Sequence, residues 1–200
     1  MRRVKLLMAA VAATLLAVPA ANAGLIGSVT QVVLPTCGSN SHPFAQFGDN
    51  HAYYGFANNG FESGTTGWTL TGGATVSRGN EPWYVNGGGS HSLTLPAGAS
   101  ATSPSFCINL LDPAVRAFAR GTTGGNLQVQ VVFHGLSGNL TGILNIASLS
   151  GTNGWAPTSR VSSALALPVL TAYAQIRVTA VSGSWSVDDA FVDPYINGAG

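Results

Sequence analysis

Charged residues are scarce in this 200-residue chain, in which Asp, Glu, Lys and Arg together make up 8% of the sequence. Eight residues are basic and seven are acidic, and the basic residues beyond Lys5 are scattered along the chain. Recognition of nucleic acid or of an anionic membrane surface requires clustered Lys and Arg side chains. The sequence therefore argues against both partners and leaves neutral ligands, sugars above all, as the easier match.

Long apolar runs are also missing after the N-terminus, so no later segment is predicted to insert into a membrane. The N-terminus has a basic start at residues 1–5, an apolar run from Leu6 to about Val18, and small residues at Ala21-Asn22-Ala23. This pattern is typical of a secretory signal peptide, and an uncleaved anchor would need a longer apolar run. We predict that residues 1–23 are removed and that the protein is secreted.

Removal of this segment changes the charge of the protein. Three of the eight basic residues lie in it, so five arginines and no lysine remain against seven acidic residues, a net charge of about −2.

Only two cysteines occur, Cys37 and Cys107. In an exported chain an isolated pair most often forms a disulfide, which would tie the N-terminal segment to the body of the protein. The alternative is two unpaired buried thiols, because a zinc site needs more ligands than two cysteines supply. We predict the disulfide.

Runs rich in Ala, Glu, Lys, Leu and Arg, which are typical of helical proteins, are missing as well, while 26 residues are glycine. Short alternating segments are separated by turn residues, and the clearest is 127–134, where alternate residues are apolar. Residues 102–110 predict a longer strand. The segments 174–181 and 185–192 flank Ser182-Gly183-Ser184 and predict a hairpin, as does the glycine-rich turn before residue 126. Residues 162–170 are the only plausible helix, with a strand or turn equally favoured.

These patterns predict an all-β fold, an antiparallel sandwich at residues 55–195. An irregular arm at residues 24–54 is predicted to pack on its body, and residues 196–200 form a C-terminal tail.

The two ends of this predicted domain carry its most specific motifs. The first is Asn58-Asn59-Gly60-Phe61-Glu62-Ser63-Gly64, followed by Trp68, and the last is Trp185-Ser186-Val187-Asp188-Asp189-Ala190-Phe191-Val192. They resemble the opening and closing strands of jelly-roll carbohydrate-binding modules with a galactose-binding-like β-sandwich, which predicts that each motif forms a strand. The resemblance covers about residues 56–195 in layout and is specific only at the two ends. It implies a jelly-roll fold and a polysaccharide or cell-envelope glycan as the partner.

The resemblance also implies that the first and last strands are neighbours, and that a structural Ca²⁺ binds to Glu62 and Asp188, with Asp189 as a further candidate. Alternation along the closing strand places Asp188 on the same face as Ala190 and Val192, where a carboxylate would need compensation. The alternative is that these carboxylates accept hydrogen bonds from backbone N–H groups and arginines without any metal.

Sugar recognition relies on aromatic faces and on a few amide or carboxylate groups. Trp83 and Tyr84, in a loop-like segment, fit this best, followed by Trp155 in a second loop. Gln128 and Gln130 form a polar row opposite the apolar face of their strand and could line a binding surface. The alternative is that the tryptophans fill or cover the core and that the glutamines form an ordinary solvated face.

Catalytic motifs are absent or out of context. The segment His134-Gly135-Leu136-Ser137-Gly138 only approximates a nucleophile elbow, and His42, Asp49 and His51 lack the spacing of a metal or acid–base motif. We therefore predict a non-catalytic protein that binds a glycan. The alternative is a structural or protein-interaction module of the cell surface that binds no sugar.

Overall fold

A computed structural model describes residues 39–106, 114–162 and 171–193. The predicted signal peptide, Cys37, Cys107, the C-terminal tail and almost all of segment 162–170 lie outside these residues. The part of the chain that is described contains one short 3₁₀ helix, Ala45–Phe47. Within these ranges, no helix is both long enough and apolar enough to cross a membrane. The strands are β1 Tyr54–Gly55, β2 Thr69–Thr71, β3 Thr75–Arg78, β4 His91–Leu95, β5 Ser100–Thr102, β6 Ala114–Gly121, β7 Asn126–His134, β8 Leu140–Ser150, β9 Ala156–Pro157, β10 Val161–Ser162, β11 Tyr173–Ser182 and β12 Trp185–Asp193.

The strands form two sheets in which every pairing is antiparallel. One sheet has seven strands in the order β10-β6-β12-β4-β3, with β1 also paired to β12 and β9 also paired to β6. The other has five strands in the order β2-β5-β11-β7-β8. The predicted all-β antiparallel sandwich is confirmed. Strand β12 lies beside β1, where Tyr54 pairs with Val192, but β1 precedes the opening motif that was predicted to be the first strand.

The core lies between the sheets and follows the alternation seen in the sequence. On β7, Leu127, Val129, Val131 and Phe133 all belong to this core. Alternate residues of β4, β11 and β12 supply apolar side chains to the same cluster. Burial of these side chains, at about 25 cal/mol per Å² of apolar surface, holds the two sheets together.

The two predicted hairpins, at 174–192 and before residue 126, were wrong. Strand β11 belongs to the five-stranded sheet and β12 to the seven-stranded sheet, and the same is true of β7 and β6. The two short connections instead pack on each other, with Thr122 N–H donating to the Ser184 carbonyl at 3.0 Å. Glycine-rich connections suit either a hairpin or a crossing between sheets, so the turn residues alone could not decide. The β7–β8 pair is a true hairpin.

A β-bulge interrupts the closing strand and changes which face Asp188 occupies. Asp188 lies opposite Phe118 and Phe191 opposite Arg116, so two residues of β12 face one residue of β6. Asp189 has φ 46°, a left-handed conformation that is uncommon outside glycine. Ala190 is in the core and Asp188 is on the outer face, so the prediction that they share a face was wrong.

Two other segments differ from their predictions. The opening motif is a run of turns from 57 to 67 and contains no strand. Strand β5 ends at Thr102, so residues 103–105 of the predicted strand 102–110 lie outside any strand. Pro104 has no N–H to donate to a sheet ladder, which explains why the strand ends before it.

The described part of the arm packs on the outer face of the seven-stranded sheet. Phe44 and Tyr53 are fully buried there, and the Phe44 ring lies 5.3 Å from the Phe118 ring. Phe191 completes the buried part of this cluster, with Phe47, Trp83, Val85 and Trp155 at its margin. We call this surface the covered face.

Candidate functional site

The outer face of the five-stranded sheet carries a row of polar side chains that we call the open face. Its members are Gln128, Gln130, Asn145, Gln175, Arg177 and Thr179. Gln130 lies between Arg177 of β11 and Asn145 of β8 in the strand register. Arg177 Nε donates to Gln130 Oε1 at 2.8 Å, and Gln130 Nε2 donates to Asn145 Oδ1 at 2.5 Å. The network fixes the amide and leaves guanidinium N–H groups for a ligand.

An aromatic pair lies at one end of the same face. The rings of His134 and Tyr173 stack at 4.8 Å with an interplanar angle of 8°. His134 Nδ1 lies 3.2 Å from the Gly138 carbonyl, while His134 Nε2 is buried and has no hydrogen-bond partner among the described residues. Amides, a guanidinium and a ring pair on one face are the groups that sugar recognition uses.

The predicted aromatic candidates occupy a different part of the molecule. Trp83 is half-buried at the margin of the covered face, with its ring 5.0 Å from Phe47 and 5.3 Å from Phe118. Trp155 is also half-buried there, beneath the Arg120 guanidinium. Tyr84 is 54% exposed and has φ 51°. The structure therefore separates these three residues from Gln128 and Gln130, and the role of all five in ligand binding stays a prediction.

Asp49 and His51, which the sequence analysis considered as part of a metal or acid–base set, belong to a hydrogen-bond network that joins the arm to β6. Asp49 accepts hydrogen bonds from Tyr53 Oη at 2.6 Å and from Arg116 Nη1 at 2.5 Å, and its Oδ1 lies 2.6 Å from His51 Nδ1. Burial alone would raise the pKa of Asp49, but these bonds outweigh it and hold the pKa well below its ordinary value. The ionised carboxylate thus ties the arm to β6.

Three carboxylates are buried together on the outer face of the seven-stranded sheet. Glu81, Asp188 and Asp189 are 0%, 0% and 2% exposed. Asp188 accepts from the N–H groups of Glu81 at 3.0 Å and Asp189 at 2.9 Å, and Asp189 accepts from Asn86 Nδ2 at 2.6 Å. None of the ion pairs among the described residues involves these three carboxylates.

The pKa values of Asp188 and Asp189 are both raised, mainly by burial. Burial raises the pKa of Asp188, and the charge of Asp189 raises it further. Burial also raises the pKa of Asp189, the Asn86 hydrogen bond lowers it, and the Glu81 charge raises it again. Several like charges in one buried site are costly unless protons or a cation neutralise them.

Glu62 faces a neighbouring cavity of about 250 Å³ that Asp189 also lines. The Glu62 carboxylate accepts from the N–H groups of Ser90 and His91, both at 2.8 Å, and lies 3.1 Å from His91 Nδ1. Burial acts to raise the pKa of Glu62, but these hydrogen bonds outweigh it and lower the pKa. Asp188 does not line the cavity. The remaining lining is amide and glycine backbone: Asn58, Asn59, Gly60, Asn80, Asn86, Gly87, Gly88 and Gly89.

This cavity has the donor chemistry of a calcium site, which takes six to eight oxygen ligands from carboxylates, amides and carbonyls. Gly60 passes close by, and a Cβ there would lie 2.8 Å from Asp189 Oδ1, so only glycine leaves the carboxylate its space. Among the described residues, no three His, Cys, Asp or Glu side chains converge as a metal-binding group. Any cation here would therefore depend on Glu62 and Asp189 together with amide and carbonyl oxygens.

Sequence analysis missed Arg177 and Gln175 of the open face and Glu81 of the buried carboxylate cluster. Arg177 and Gln175 alternate with apolar residues on β11 just as the glutamines do on β7, but register was needed to place Gln130 beside Arg177. Glu81 lies in no sequence motif that would have marked it as a buried carboxylate. Its carboxylate accepts from the N–H groups of Trp83 and Val85, a local side-chain-to-backbone pattern that turns can form.

No model of a protein family and no curated protein matches the chain. Solved structures do. The carbohydrate-binding and catalytic modules of Clostridium thermocellum endo-1,4-β-D-xylanase 10B, solved with xylohexaose, are 16% identical with a TM-score of 0.51, covering 70% of this chain and 28% of that one. A family 22 xylan-binding domain of Paenibacillus barcinonensis is 17% identical with a TM-score of 0.48, covering 67% of this chain and 90% of that one.

Another similar structure is the enzymatically active domain of tailspike protein 4 from bacteriophage CBA120. It is 16% identical with a TM-score of 0.49, and the match covers 68% of this chain but only 20% of that one. The chain thus spans a small part of the enzymes and nearly all of the isolated binding domain. The predicted resemblance to jelly-roll carbohydrate-binding modules is confirmed at the level of the fold.

Proposed function

We propose that this protein is a secreted, non-catalytic glycan-binding protein and that the open face holds the sugar chain. The observation that carries the proposal is the Asn145–Gln130–Arg177 network, which presents fixed polar groups on an outer sheet surface. The fold is one that carbohydrate-binding modules use, and the similar xylanase modules were solved with xylohexaose. Because folds host many functions, the site and not the fold must support the assignment.

The open face suits a polysaccharide because sugar hydroxyls both donate and accept hydrogen bonds. Gln130 is held by its two neighbours, so little side-chain freedom is lost when a ligand binds. Arg177 offers several donors in a fixed plane. Tyr173 and His134 add apolar ring surface at one end of the row.

The test is affinity electrophoresis of the secreted protein in gels that contain soluble xylan, glucan, galactan or arabinan. We expect at least one polysaccharide to retard the protein, and Gln130→Ala to weaken this binding about tenfold, the equivalent of roughly 1.4 kcal/mol. Gln46→Ala is the matched control, because Gln46 is an exposed glutamine on the 3₁₀ helix. Retardation by no polysaccharide, or equal loss in both variants, contradicts the proposal.

We also propose that a structural Ca²⁺ binds at the cavity of Glu62 and Asp189, next to Asp188. Support comes from the three buried carboxylates, which form no ion pair with a described residue, and from the oxygen-rich lining. A bound divalent cation would neutralise this charge and stabilise the fold, and it would take no part in chemistry.

Thermal unfolding in EDTA, in 2 mM Ca²⁺ and in 2 mM Mg²⁺ tests this site. We expect Ca²⁺ to raise the Tm by several degrees, Mg²⁺ to have little effect, and Glu62→Gln to reduce the Ca²⁺-dependent rise. Equal Tm values in Ca²⁺ and EDTA would exclude the site.

One observation favours the alternative, a protein-interaction module of the cell surface. Leu136, Leu140 and Ile143 are 70%, 56% and 45% exposed at the β7–β8 hairpin. Exposed apolar clusters often mark protein contacts. Under this alternative no polysaccharide retards the protein, and the double substitution Leu136→Ser with Leu140→Ser releases it from cells while Gln130→Ala does not.

A further inference from the structure

Arg120 occupies an unusual position on the seven-stranded sheet, away from the open face. It lies on the outer side of β6, opposite Ser186 of β12. Its guanidinium carbon lies 5.2 Å from the centre of the Trp155 ring, and its Nε donates to Ser186 Oγ at 3.3 Å. The stacking and the hydrogen bond hold the guanidinium in one orientation, while the residue remains exposed.

Beside Arg120 is a cavity of about 250 Å³ whose lining is mostly polar. Asn153 Oδ1 accepts from the Thr123 N–H at 3.2 Å, which leaves the Asn153 NH₂ group as a donor. Ser186 accepts from Arg120 and still has its hydroxyl proton to donate. The side chains of Arg120, Asn153 and Ser186 belong to residues that line this cavity, together with Thr94 and Thr122. Arg120, Asn153 and Ser186 therefore offer hydrogen-bond donors at the cavity, and none of the residues that line it is acidic.

The charge of Arg120 is also uncompensated. Arg116 pairs with Asp49 and Arg160 pairs with Asp193, but no carboxylate of residues 39–106, 114–162 or 171–193 forms an ion pair with Arg120. A planar guanidinium with free N–H groups recognises carboxylate and sulfate oxygens through paired hydrogen bonds. Its fixed orientation reduces the side-chain entropy that binding would otherwise cost.

We propose that this cavity binds the anionic group of an acidic sugar, a carboxylate or a sulfate ester, with Arg120 as the principal ligand-contacting residue. Trp155 acts here as the platform that orients Arg120, and its covered ring face does not stack on sugar. The Asn153 amide and the Ser186 hydroxyl supply further donors. This site lies on the opposite sheet from the open face, so the inference does not depend on the proposed polysaccharide site.

The experiment titrates the protein with sodium glucuronate, with sodium sulfate and with neutral glucose, at constant low ionic strength. The readout is the NMR signal of the Trp155 indole N–H, assigned from the Trp155→Phe variant. We expect glucuronate, sulfate or both to shift this signal and saturate, while glucose causes no saturating shift. Saturation by glucuronate alone identifies a carboxylate site, and saturation by sulfate identifies a site for sulfate esters.

Arg120→Gln should weaken binding at least tenfold, and Arg120→Lys should weaken it less, because lysine keeps the charge but loses the planar fork. Arg78→Gln is the matched control. Arg78 is an exposed arginine of the same sheet, and it neither lines the cavity nor forms an ion pair within the described chain. It should leave the affinity unchanged. If Arg120→Gln does not fold, Arg120→Lys supplies the comparison.

The inference is overturned if no anion saturates the Trp155 signal, if glucose binds as well as glucuronate, or if Arg78→Gln and the Arg120 variants lose affinity equally. Gln130→Ala separates the two sites. We expect it to lose polysaccharide binding and to keep glucuronate or sulfate binding at Arg120.

Discussion

The outer faces of the two sheets are built from the same alternating pattern but differ in what covers them. On the five-stranded sheet, Gln128 and Gln130 alternate with core residues and remain half-exposed. On the seven-stranded sheet, Phe118 occupies the corresponding outward position and is fully buried beneath the arm and the Trp83 loop. The surface around Phe118 is therefore covered by aromatic rings, while Gln128 and Gln130 on the other sheet remain accessible.

This difference assigns separate tasks to aromatic and polar residues. Trp83 and Trp155, the tryptophans predicted to bind sugar, lie at the margin of the covered face and pack against it. Gln128, Gln130 and Arg177 carry hydrogen-bonding groups on the open face, and Arg120 carries one at the margin of the covered face, beside Trp155. In this protein, therefore, the prominence of an aromatic residue in the sequence is a poor guide to its exposure.

The largest effect should follow from breaking the covered face at Phe118. Its ring contacts Phe44, Phe47 and Trp83 and has no solvent exposure. We expect Phe118→Ala to lower the free energy of unfolding by about 4 kcal/mol, because a cavity replaces the ring. Urea denaturation measures the change, and Phe118→Leu should cost clearly less. A loss below about 1 kcal/mol would mean that the arm does not seal this face.

The next effect should come from Asp49, which ties the arm to the covered face. Asp49→Asn leaves Arg116 buried without its counter-charge, and we expect a loss of about 3 kcal/mol at pH 7. Because the folded pKa of Asp49 is lowered, its stabilisation is full above the unfolded pKa near 4 and is lost as the pH falls below that value.

The difference in unfolding free energy between wild type and Asp49→Asn should therefore shrink from pH 7 towards pH 2. Denaturation curves at pH 7, 4 and 2 measure this difference. Asn50→Ala, a substitution of the neighbouring exposed residue, is the control. A difference that stays constant with pH would show that the carboxylate contributes through packing and not through its charge.

A smaller effect is expected at Trp83, where stability and binding can be compared in one variant. The side chain is half-buried, so we expect Trp83→Ala to cost about 2 kcal/mol. Affinity for a polysaccharide held on the open face should stay unchanged, as affinity electrophoresis can show. A selective loss of affinity with little loss of stability would instead support the sugar-binding role that the loop context of Trp83 predicts.

How far the sequence could predict the structure depends on the kind of information each feature needs. Alternation placed β7, β11 and β12 to within one residue at each end, because burial of one sheet face enforces a period of two. It could not tell that β11 and β12 lie in different sheets, since strand pairing is a long-range property. The bulge at Asp189 reversed the face of Asp188, and nothing in the local composition marks a non-glycine residue with positive φ.

The candidate sites show the same division. Glu62, Asp188 and Asp189 were found through their motifs, and Gln128 and Gln130 through alternation. Arg177, Asn145 and Arg120 escaped because their importance comes from what lies beside them across strands. Glu81 escaped because a buried carboxylate in a loop has no sequence signature of its own.

The smallest effect, and the sharpest comparison, is expected on the open face at Gln128. Its side chain is half-exposed and points away from the core, and valine suits a strand at least as well as glutamine does. We expect Gln128→Val to change the free energy of unfolding by less than about 0.5 kcal/mol while it weakens polysaccharide binding a few-fold. Urea denaturation and affinity electrophoresis on the same preparation measure both quantities. A stability loss above about 1 kcal/mol would mean that this face, like that of Phe118, is covered and cannot receive a sugar chain.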